Sequence, residues 1–245
     1  MAIGKKILWS GLGWAMGGPI GAILGFAFAS LSEQVRGPKY RTTYRKSKIP
    51  ETGTEDFMAS LLVLLASVMK ADEKLLHSEL DYVKQFLSKQ FAAVDANRYL
   101  LLYREILKQN YSLRQVCLQI RSSMDHSSRL EIIHLLFGLS SADGNAHQKE
   151  INIIRQIAEY LNINDRDFTS IKAIFIKSTK SAYQILEIEP TVSDEEVKKA
   201  YRKMAKKYHP DKVMHLGEEL RRSAEEKFKA VNNAYKEINF ERGLN

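Results

Sequence analysis

The residues best suited to binding chemistry lie near the C-terminal end of the sequence, where His209, Pro210 and Asp211 are adjacent. An imidazole and a carboxylate on either side of a proline form a short polar motif that a rigid support can place accurately. The segment before this motif contains six basic residues on one predicted helix face: Lys198, Lys199, Arg202, Lys203, Lys206 and Lys207. Taken alone, such a face is most simply a solvated surface. The functional alternative is a docking face, because exposed charges steer and orient an encounter.

Four acidic residues in the middle of the sequence could bind a divalent cation. Asp72 and Asp143 follow apolar segments, and Glu79 and Glu150 come seven positions later. Hard cations prefer carboxylate oxygens, so the four side chains could form one site if the two segments pack about a pseudo-twofold axis. The alternative, which we favour, is that each Asp caps a helix or turn and each Glu is a first-turn acid.

The remaining sequence argues against enzymatic activity. It contains no phosphate-binding loop and no nucleophile with a nearby base. Its single Cys117 excludes an intramolecular disulfide and a multi-cysteine zinc site. We therefore predict no catalytic residues, and no cofactor apart from the metal considered above.

The net charge of +8 is concentrated at the N-terminal end. Residues 1–50 contain 8 basic and 1 acidic side chains, residues 51–180 contain 16 of each, and residues 181–245 contain 13 and 12. A nucleic-acid-binding protein would cluster its basic residues in a folded domain. Here the cluster borders an apolar run, so the sequence predicts contact with membrane lipid and not with nucleic acid.

That apolar run, residues 7–31, contains no charged side chain. As a helix it would extend about 38 Å, against a hydrocarbon core about 30 Å thick. It is also longer than the apolar region of a cleaved signal peptide, about 7–15 residues. We therefore predict a single transmembrane anchor over residues 1–33, followed by a basic linker over residues 34–53. The excess of Lys and Arg after the run places the bulk of the chain in the cytoplasm.

Glycines recur every fourth residue inside the run, at Gly13, Gly17, Gly21 and Gly25. A helix face without side chains allows two helices to approach closely, so the row predicts a homodimer. The alternative left open is that Gly17, Gly18 and Pro19 interrupt the helix, and that the segment lies in the membrane interface or forms a hairpin.

Two long helices are predicted in the C-terminal segment. Ser193 and Glu196 form a capping-box pattern that begins the first helix, and Pro210 requires it to end before His209. A loop to about Gly217 leads to the second helix. Apolar residues spaced by three and four on both helices predict an antiparallel pair. The His-Pro-Asp motif therefore lies at the tip of a helical hairpin.

These residues resemble the J-domain of DnaJ co-chaperones over residues 181–240. The resemblance is carried by Tyr-Gln-Ile-Leu at 183–186, Tyr-Arg-Lys at 201–203, Tyr-His-Pro-Asp at 208–211, Phe228 and Ala-Tyr at 234–235. It implies that the basic helix docks on an acidic surface of a DnaK-type chaperone. It also implies that His209, Pro210 and Asp211 stimulate ATP hydrolysis by that chaperone. No Gly/Phe-rich segment and no Cys-x-x-Cys repeats occur in the sequence, so the general substrate-binding parts of large DnaJ proteins are missing.

The middle of the chain repeats itself with an offset of 71 residues. Leu64, Leu65, Ala71, Asp72 and Glu79 fall on Leu135, Leu136, Ala142, Asp143 and Glu150. The helical period throughout, with an acidic turn in each half, resembles the TerB family over about residues 55–175. That resemblance implies divalent-metal binding, although Asp72-Glu73 departs from the Asp-Gly of the second copy, Asp143-Gly144.

We therefore predict an all-α chain with a transmembrane anchor, a TerB-like domain over residues 54–178 and a J-domain over residues 181–245. This order resembles the membrane-anchored DjlA-like co-chaperones of Gram-negative bacteria, which implies an inner-membrane location. The predicted function is recruitment and ATPase stimulation of a DnaK-type chaperone. The alternative is a metal- or stress-sensing membrane module in which the J-domain is an accessory.

Overall fold

The structure is a computed structural model and describes residues 17–31, 54–71, 77–144, 146–176 and 181–244. No strand occurs in these ranges, so the all-α prediction is confirmed for the described part of the chain. The helices are α1 (17–31), α2 (Thr54–Met69), α3 (His77–Gln90), α4 (Ala93–Leu107), α5 (Leu113–Ser123), α6 (His126–Ser140), α7 (Gln148–Tyr160), α8 (Asp165–Phe175), α9 (Ser181–Ile185), α10 (Asp194–Lys207), a 3-10 helix (Pro210–Leu216) and α11 (Glu218–Glu241).

Helix α2 forms the centre of the middle domain. The helical spacing in the sequence predicts one apolar stripe on it, formed by Phe57, Leu61, Leu64, Leu65, Val68 and Met69. Met58, Leu62 and Val63 lie off that stripe and are also fully buried. The reason is that α4, α5, α6 and α7 all pack against it. A helix that is apolar on every side is buried on every side.

The internal repeat is visible in the helix boundaries. Met69 ends α2 and Ser140 ends α6, while His77 begins α3 and Gln148 begins α7. Both pairs are 71 positions apart, as in the sequence. Each copy is therefore an apolar helix, a short turn and a second helix, and α2 and α6 pack against each other.

The residue that caps α6 differs from the prediction. Ser128 and Glu131 match the capping-box pattern, which predicts that a helix begins at Ser128. The helix begins earlier, at His126, and Asp125 is its N-cap. The backbone N–H of Ser128 donates to Asp125 Oδ1 at 2.6 Å. Asp and Ser are equally good N-caps, so the pattern alone could not decide between them.

The C-terminal domain is the predicted helical hairpin. Tyr201 on α10 and Tyr235 on α11 stack with ring centroids 4.3 Å apart, and Tyr201 Oη lies 3.0 Å from Asn232 Oδ1. At the open end, Arg242 donates to the carbonyl of Pro190 at 2.8 Å. The connection predicted as a loop is instead a 3-10 helix, for which Pro210 supplies a favourable first residue.

The N-terminal segment is described over residues 17–31, all of which are helical. Among the described helices, none is long and apolar enough to cross a membrane. Instead of standing apart, α1 buries Ile20, Ile23 and Ala27 against the middle domain. Gln119 anchors its first turn by donating to the carbonyl of Gly17 at 2.7 Å. Residues 1–16 of the predicted anchor, and the predicted linker, lie outside the described residues.

Candidate functional site

Helix α10 has two sides with different tasks. Its first turn is held by a capping box in which Glu196 Oε2 accepts from the backbone N–H of Ser193 at 2.9 Å, a hydrogen bond that lowers the pKa of Glu196. Val197, Ala200 and Met204 are buried within the C-terminal domain. The opposite side carries the six predicted basic residues, so burying the apolar side fixes the direction in which the basic side points.

Five of these six basic residues are exposed: Lys198, Lys199, Arg202, Lys203 and Lys206. Lys207 differs, because its side chain is only 17% exposed and its ammonium group contacts both Asp167 on α8 and Glu187 after α9. Lys203 also contacts Glu187, at 3.1 Å, but remains exposed. The predicted basic face therefore extends as far as Lys206, and Lys207 joins the two domains.

The His-Pro-Asp motif projects from the structure immediately after α10. The side chains of His209 and Asp211 are 50% and 75% exposed. Three contacts orient the imidazole: the Asp211 backbone N–H donates to His209 Nδ1 at 3.3 Å, the Asp211 carboxylate lies 3.4 Å from the same nitrogen, and the Phe228 ring lies edge-on at 5.9 Å. The structure thus brings the three predicted residues together as an exposed and ordered tip.

The 3-10 helix fixes the tip to the rest of the molecule. Val213 and Leu216 are buried, and Gly217 follows with a positive φ of 114°. Gln90 of α3 lies against this glycine: its Nε2 donates to the Leu216 carbonyl at 3.0 Å, and its Oε1 accepts from the Glu219 backbone N–H at 3.2 Å. A side chain at position 217 would collide with Gln90 as well as adopting an unfavourable φ. The middle domain therefore caps the first turn of α11.

A buried ion pair joins the two domains beside this cap. Lys227 on α11 contacts Glu131 on α6, and their side chains are 3% and 0% exposed. Next to it, His134 Nδ1 lies 2.9 Å from Ser223 Oγ. Burial lowers the pKa of His134 well below its ordinary value, and the nearby Lys227 lowers it further. The imidazole is consequently neutral at physiological pH.

Asp167 is the second point of attachment. Besides Lys207, it contacts His126, whose Nε2 lies 3.1 Å from Asp167 Oδ2. Burial alone would raise the pKa of the Asp167 carboxyl. Hydrogen bonds from His126 and Lys207 outweigh burial and hold that pKa below its ordinary range. Asp167 is therefore ionised, and it holds α10 against α8.

The two glutamates among the predicted metal-binding residues fall in equivalent places in the two repeats. Glu79 and Glu150 lie in the first turns of α3 and α7 and are 2% and 1% exposed. One carboxylate oxygen of Glu150 accepts from Ser140 Oγ at 2.8 Å and from the His147 backbone N–H at 3.1 Å. Asp143 lies in the turn, with His147 at 3.8 Å, and Asp72 is outside the described residues. Within the described ranges, no three His, Cys, Asp or Glu side chains are grouped to hold a metal ion.

Several important residues were missed at the sequence level. The pairs Lys227–Glu131 and Lys207–Asp167 join residues 96 and 40 positions apart, so local spacing does not reveal them. One signal was available: Lys227 lies between Ala224 and Val231 at the three-and-four spacing of the apolar side of α11. A lysine at such a position requires a buried partner.

Comparison with known proteins agrees with both resemblances. Residues 58–173 match the family described as "Tellurite resistance protein TerB", and residues 181–241 match the DnaJ domain. The co-chaperone protein DjlA of Coxiella burnetii is 24% identical over 259 aligned positions, which cover 95% of this chain and 96% of that protein. DjlA of Vibrio vulnificus is 25% identical over 78% of this chain and 79% of its own length.

The DnaJ domain has closer relatives over a shorter range. The chaperone protein DnaJ of Wolinella succinogenes is 56% identical over 59 positions, which are 24% of this chain and 14% of that protein. No solved structure matches the chain. With a TerB domain followed by a C-terminal DnaJ domain, and homology to DjlA along 95% of its length, the chain is a DjlA-like co-chaperone.

Proposed function

We propose that this co-chaperone recruits a DnaK-type chaperone through the basic face of α10 and stimulates its ATP hydrolysis through His209, Pro210 and Asp211. The observation that carries the proposal is the exposed tip itself. His209 and Asp211 are held in contact with each other at 3.4 Å, yet both side chains remain at least half exposed. A partner can therefore reach them without rearrangement of the fold.

The two parts of the site have different tasks in this proposal. Exposed lysines and arginines act over several ångströms, so the basic face raises the rate of encounter and orients the partner. The tip is short and supported by the buried Val213 and Leu216, so it can place an imidazole and a carboxylate accurately on the docked chaperone. The bound ATP belongs to the partner, and the co-chaperone is a regulator and not an enzyme.

The test uses single-turnover ATP hydrolysis by a DnaK-type chaperone with the full-length chain in one detergent throughout. We expect His209→Gln and Asp211→Asn to abolish stimulation while leaving helix content and thermal midpoint unchanged, because both side chains are exposed. His147→Gln, on an exposed histidine of the other domain, is the matched control and should stimulate like the wild type. Full stimulation by both tip variants would contradict the proposed function.

We further propose that the N-terminal segment anchors the chain to the bacterial inner membrane, which requires α1 to exchange its packing on the middle domain for contact with lipid. The support is the charge-free run at residues 7–31 and the basic residues after it, which also attract anionic headgroups by about 1 kcal/mol each near the surface. The full chain should float with lipid vesicles and resist alkaline extraction. The DnaJ domain should be digested by protease only after the cells are opened, since the bulk of the chain is cytoplasmic in this proposal.

A homodimer through the glycine row is proposed for the membrane-inserted segment, in which α1 no longer packs on the middle domain. At 100° per residue, Gly17, Gly21 and Gly25 lie within about 80° of one another on one side of the helix. We therefore expect Gly17→Leu with Gly21→Leu to reduce crosslinking between copies in membranes, because bulk on this side prevents close approach. Ala22→Leu is the control for added bulk alone. Unchanged crosslinking in the double variant would argue against this interface.

The alternative function, metal sensing, gains no support from the described contacts. Glu150 is engaged in capping α7, which is the alternative role considered for these acidic residues. We propose that the acidic turns are structural. Titration of the full chain with Ca²⁺, Mg²⁺ and Zn²⁺ should leave its thermal midpoint unchanged, and a rise that is lost in Glu79→Gln would instead favour a metal site.

A further inference from the structure

A groove of about 440 Å³ lies between the two domains, beside the site already described. Its DnaJ-domain wall is formed by Lys203, Lys206, Lys207 and Lys212, together with Glu187. Its TerB-domain wall is formed by His126, Asn164, Arg166 and Asp167, from the first turns of α6 and α8 and the residue before α8.

The position of the groove relates it to the docking surface. Lys203 and Lys206 belong to the basic face of α10, and Lys212 follows Asp211 directly. A partner that contacts both Lys206 on the basic face and the His-Pro-Asp tip therefore lies next to the groove. On its other side it meets Arg166, which is exposed.

The charges that line the groove favour an anionic occupant. It contains five lysine and arginine side chains against two carboxylates. Both carboxylates are already engaged, Asp167 by Lys207 and His126, and Glu187 by Lys203 and Lys207. The charges left for a ligand are therefore those of Lys206, Lys212 and Arg166, which are exposed and basic.

The two walls are held in a fixed relation. The buried Lys227–Glu131 pair, the Lys207–Asp167 pair and the Gln90 cap of α11 all cross the domain boundary. In this arrangement each buried charge of the Lys227–Glu131 pair has its counter-charge, so these contacts favour one orientation of the two domains. Arg166 is thus presented together with the basic face and not on an independent domain.

We propose that the TerB domain is part of the chaperone-docking surface: Arg166 extends the basic face of α10 across the domain boundary, and the groove accepts an acidic segment of the DnaK-type chaperone. This inference rests on the proposed function, because it names a further contact for the same partner. The TerB domain then contributes directly to recruitment.

The test compares Arg166→Glu with Arg121→Glu in the full-length chain. Arg121 is an equally exposed arginine of the TerB domain, on α5 and outside the groove. Arg166 lies in the first turn of α8, where an acidic residue suits the helix dipole, so the variant should fold. Thermal midpoints check this, and the milder Arg166→Gln serves as a second variant.

We expect Arg166→Glu to raise the half-saturating concentration for ATPase stimulation, and the Kd for the ATP-bound chaperone, by about threefold to tenfold at low salt. Arg166→Gln should have a smaller effect, and Arg121→Glu none. The difference should shrink as salt is raised, because these charges are exposed. The effect should fall on half-saturation and not on the plateau, which His209 and Asp211 determine.

Equal half-saturation for Arg166→Glu and Arg121→Glu would overturn the inference while the proposed function stands. Tighter binding by Arg166→Glu would also overturn it, since the TerB domain would then shield the docking surface. Failure of the wild-type chain to stimulate ATP hydrolysis would overturn the proposed function, and this inference with it. Measuring both the Kd and the ATPase stimulation of the His209→Gln variant distinguishes loss of stimulation from loss of binding.

Discussion

Ionisable side chains of the same type have different roles in this molecule, according to the contacts that each one makes. Lys206 and Lys207 are neighbours in the same basic segment, but Lys206 faces solvent and Lys207 is held by Asp167 and Glu187. His134 and His209 differ in the same way. The first is 4% exposed and bonded to Ser223, whereas the second is exposed at the tip. Residue type alone does not show which member of each pair is exposed and which is buried.

Burial of His134 makes the stability of the protein depend on pH. Its pKa is lowered in the folded state relative to the ordinary value of 6.5, mainly by burial. Below pH 6.5 the unfolded chain therefore binds a proton that the folded chain does not, so stability falls as pH falls. Below pH 6.5, this histidine should therefore lower the free energy of unfolding by up to about 1.4 kcal/mol for each pH unit.

The measurement is the free energy of unfolding by denaturant between pH 7.5 and pH 5. We expect His134→Asn, which places an amide near the position of Nδ1, to reduce the slope relative to the wild type. The exposed His147→Asn should keep the wild-type slope. The same slope in the wild type and His134→Asn would show that His134 is not the responsible group.

Helix α10 carries its buried residues and the residues proposed for recruitment on opposite sides. Val197, Ala200 and Met204 are buried within the C-terminal domain, while the five exposed basic residues of the basic face occupy the solvent side. Because the two sets do not overlap, charge can be changed on this helix without touching its packing. Such a separation lets recruitment be tested independently of stability.

Reversing charge at Lys199, Arg202 and Lys206 to Glu should slow association with the chaperone by about tenfold at low salt, because exposed charges act mainly on the association rate. The wild type should slow as salt rises, since the screening length is about 8 Å at physiological ionic strength, and the variant should be slow throughout. Stopped-flow or surface-binding kinetics measure this.

Reversal of Arg222, Lys229 and Lys236 on α11 is the matched control. If both triple variants respond to salt like the wild type, the basic face is only solubilising.

At the scale of the whole molecule, the TerB and DnaJ domains form one packed unit. Lys227–Glu131 is fully enclosed at their boundary, while Lys89 and Glu219 pair at 3.6 Å with Lys89 55% exposed. The enclosed pair and the exposed pair should therefore contribute very differently to stability. The first specifies how the domains sit together, since any other arrangement leaves a buried charge unpaired.

We expect Lys227→Met to lower the free energy of unfolding by about 3–5 kcal/mol, because Glu131 is left buried without a counter-charge. The double variant Lys227→Met with Glu131→Leu should recover most of that loss. Lys89→Met should cost less than about 1 kcal/mol. Denaturant unfolding measures all three. A small loss for Lys227→Met, similar to that of Lys89→Met, would mean that water or rearrangement compensates Glu131.

Features that depend on local spacing could be predicted from the sequence. The capping box at Ser193, the end of α10 before Pro210, the basic side of α10 and the 71-residue repeat all follow from residues within a few turns or from direct comparison of two segments. Helical periodicity and proline geometry operate over such distances, so these predictions needed no knowledge of the packing.

Which distant residues meet depends on the packing of the helices and could not be predicted from the sequence. Glu131 and Lys227 are 96 positions apart, and nothing local to either shows which charge neutralises it. Three other features have the same origin. Helix α1 packs on the middle domain, Lys207 pairs with Asp167 instead of facing solvent, and Arg166 lies across the groove from the basic face. Each depends on how whole helices are arranged, because burial of apolar sides sets the helix positions and the charged residues then pair with whatever those positions bring near.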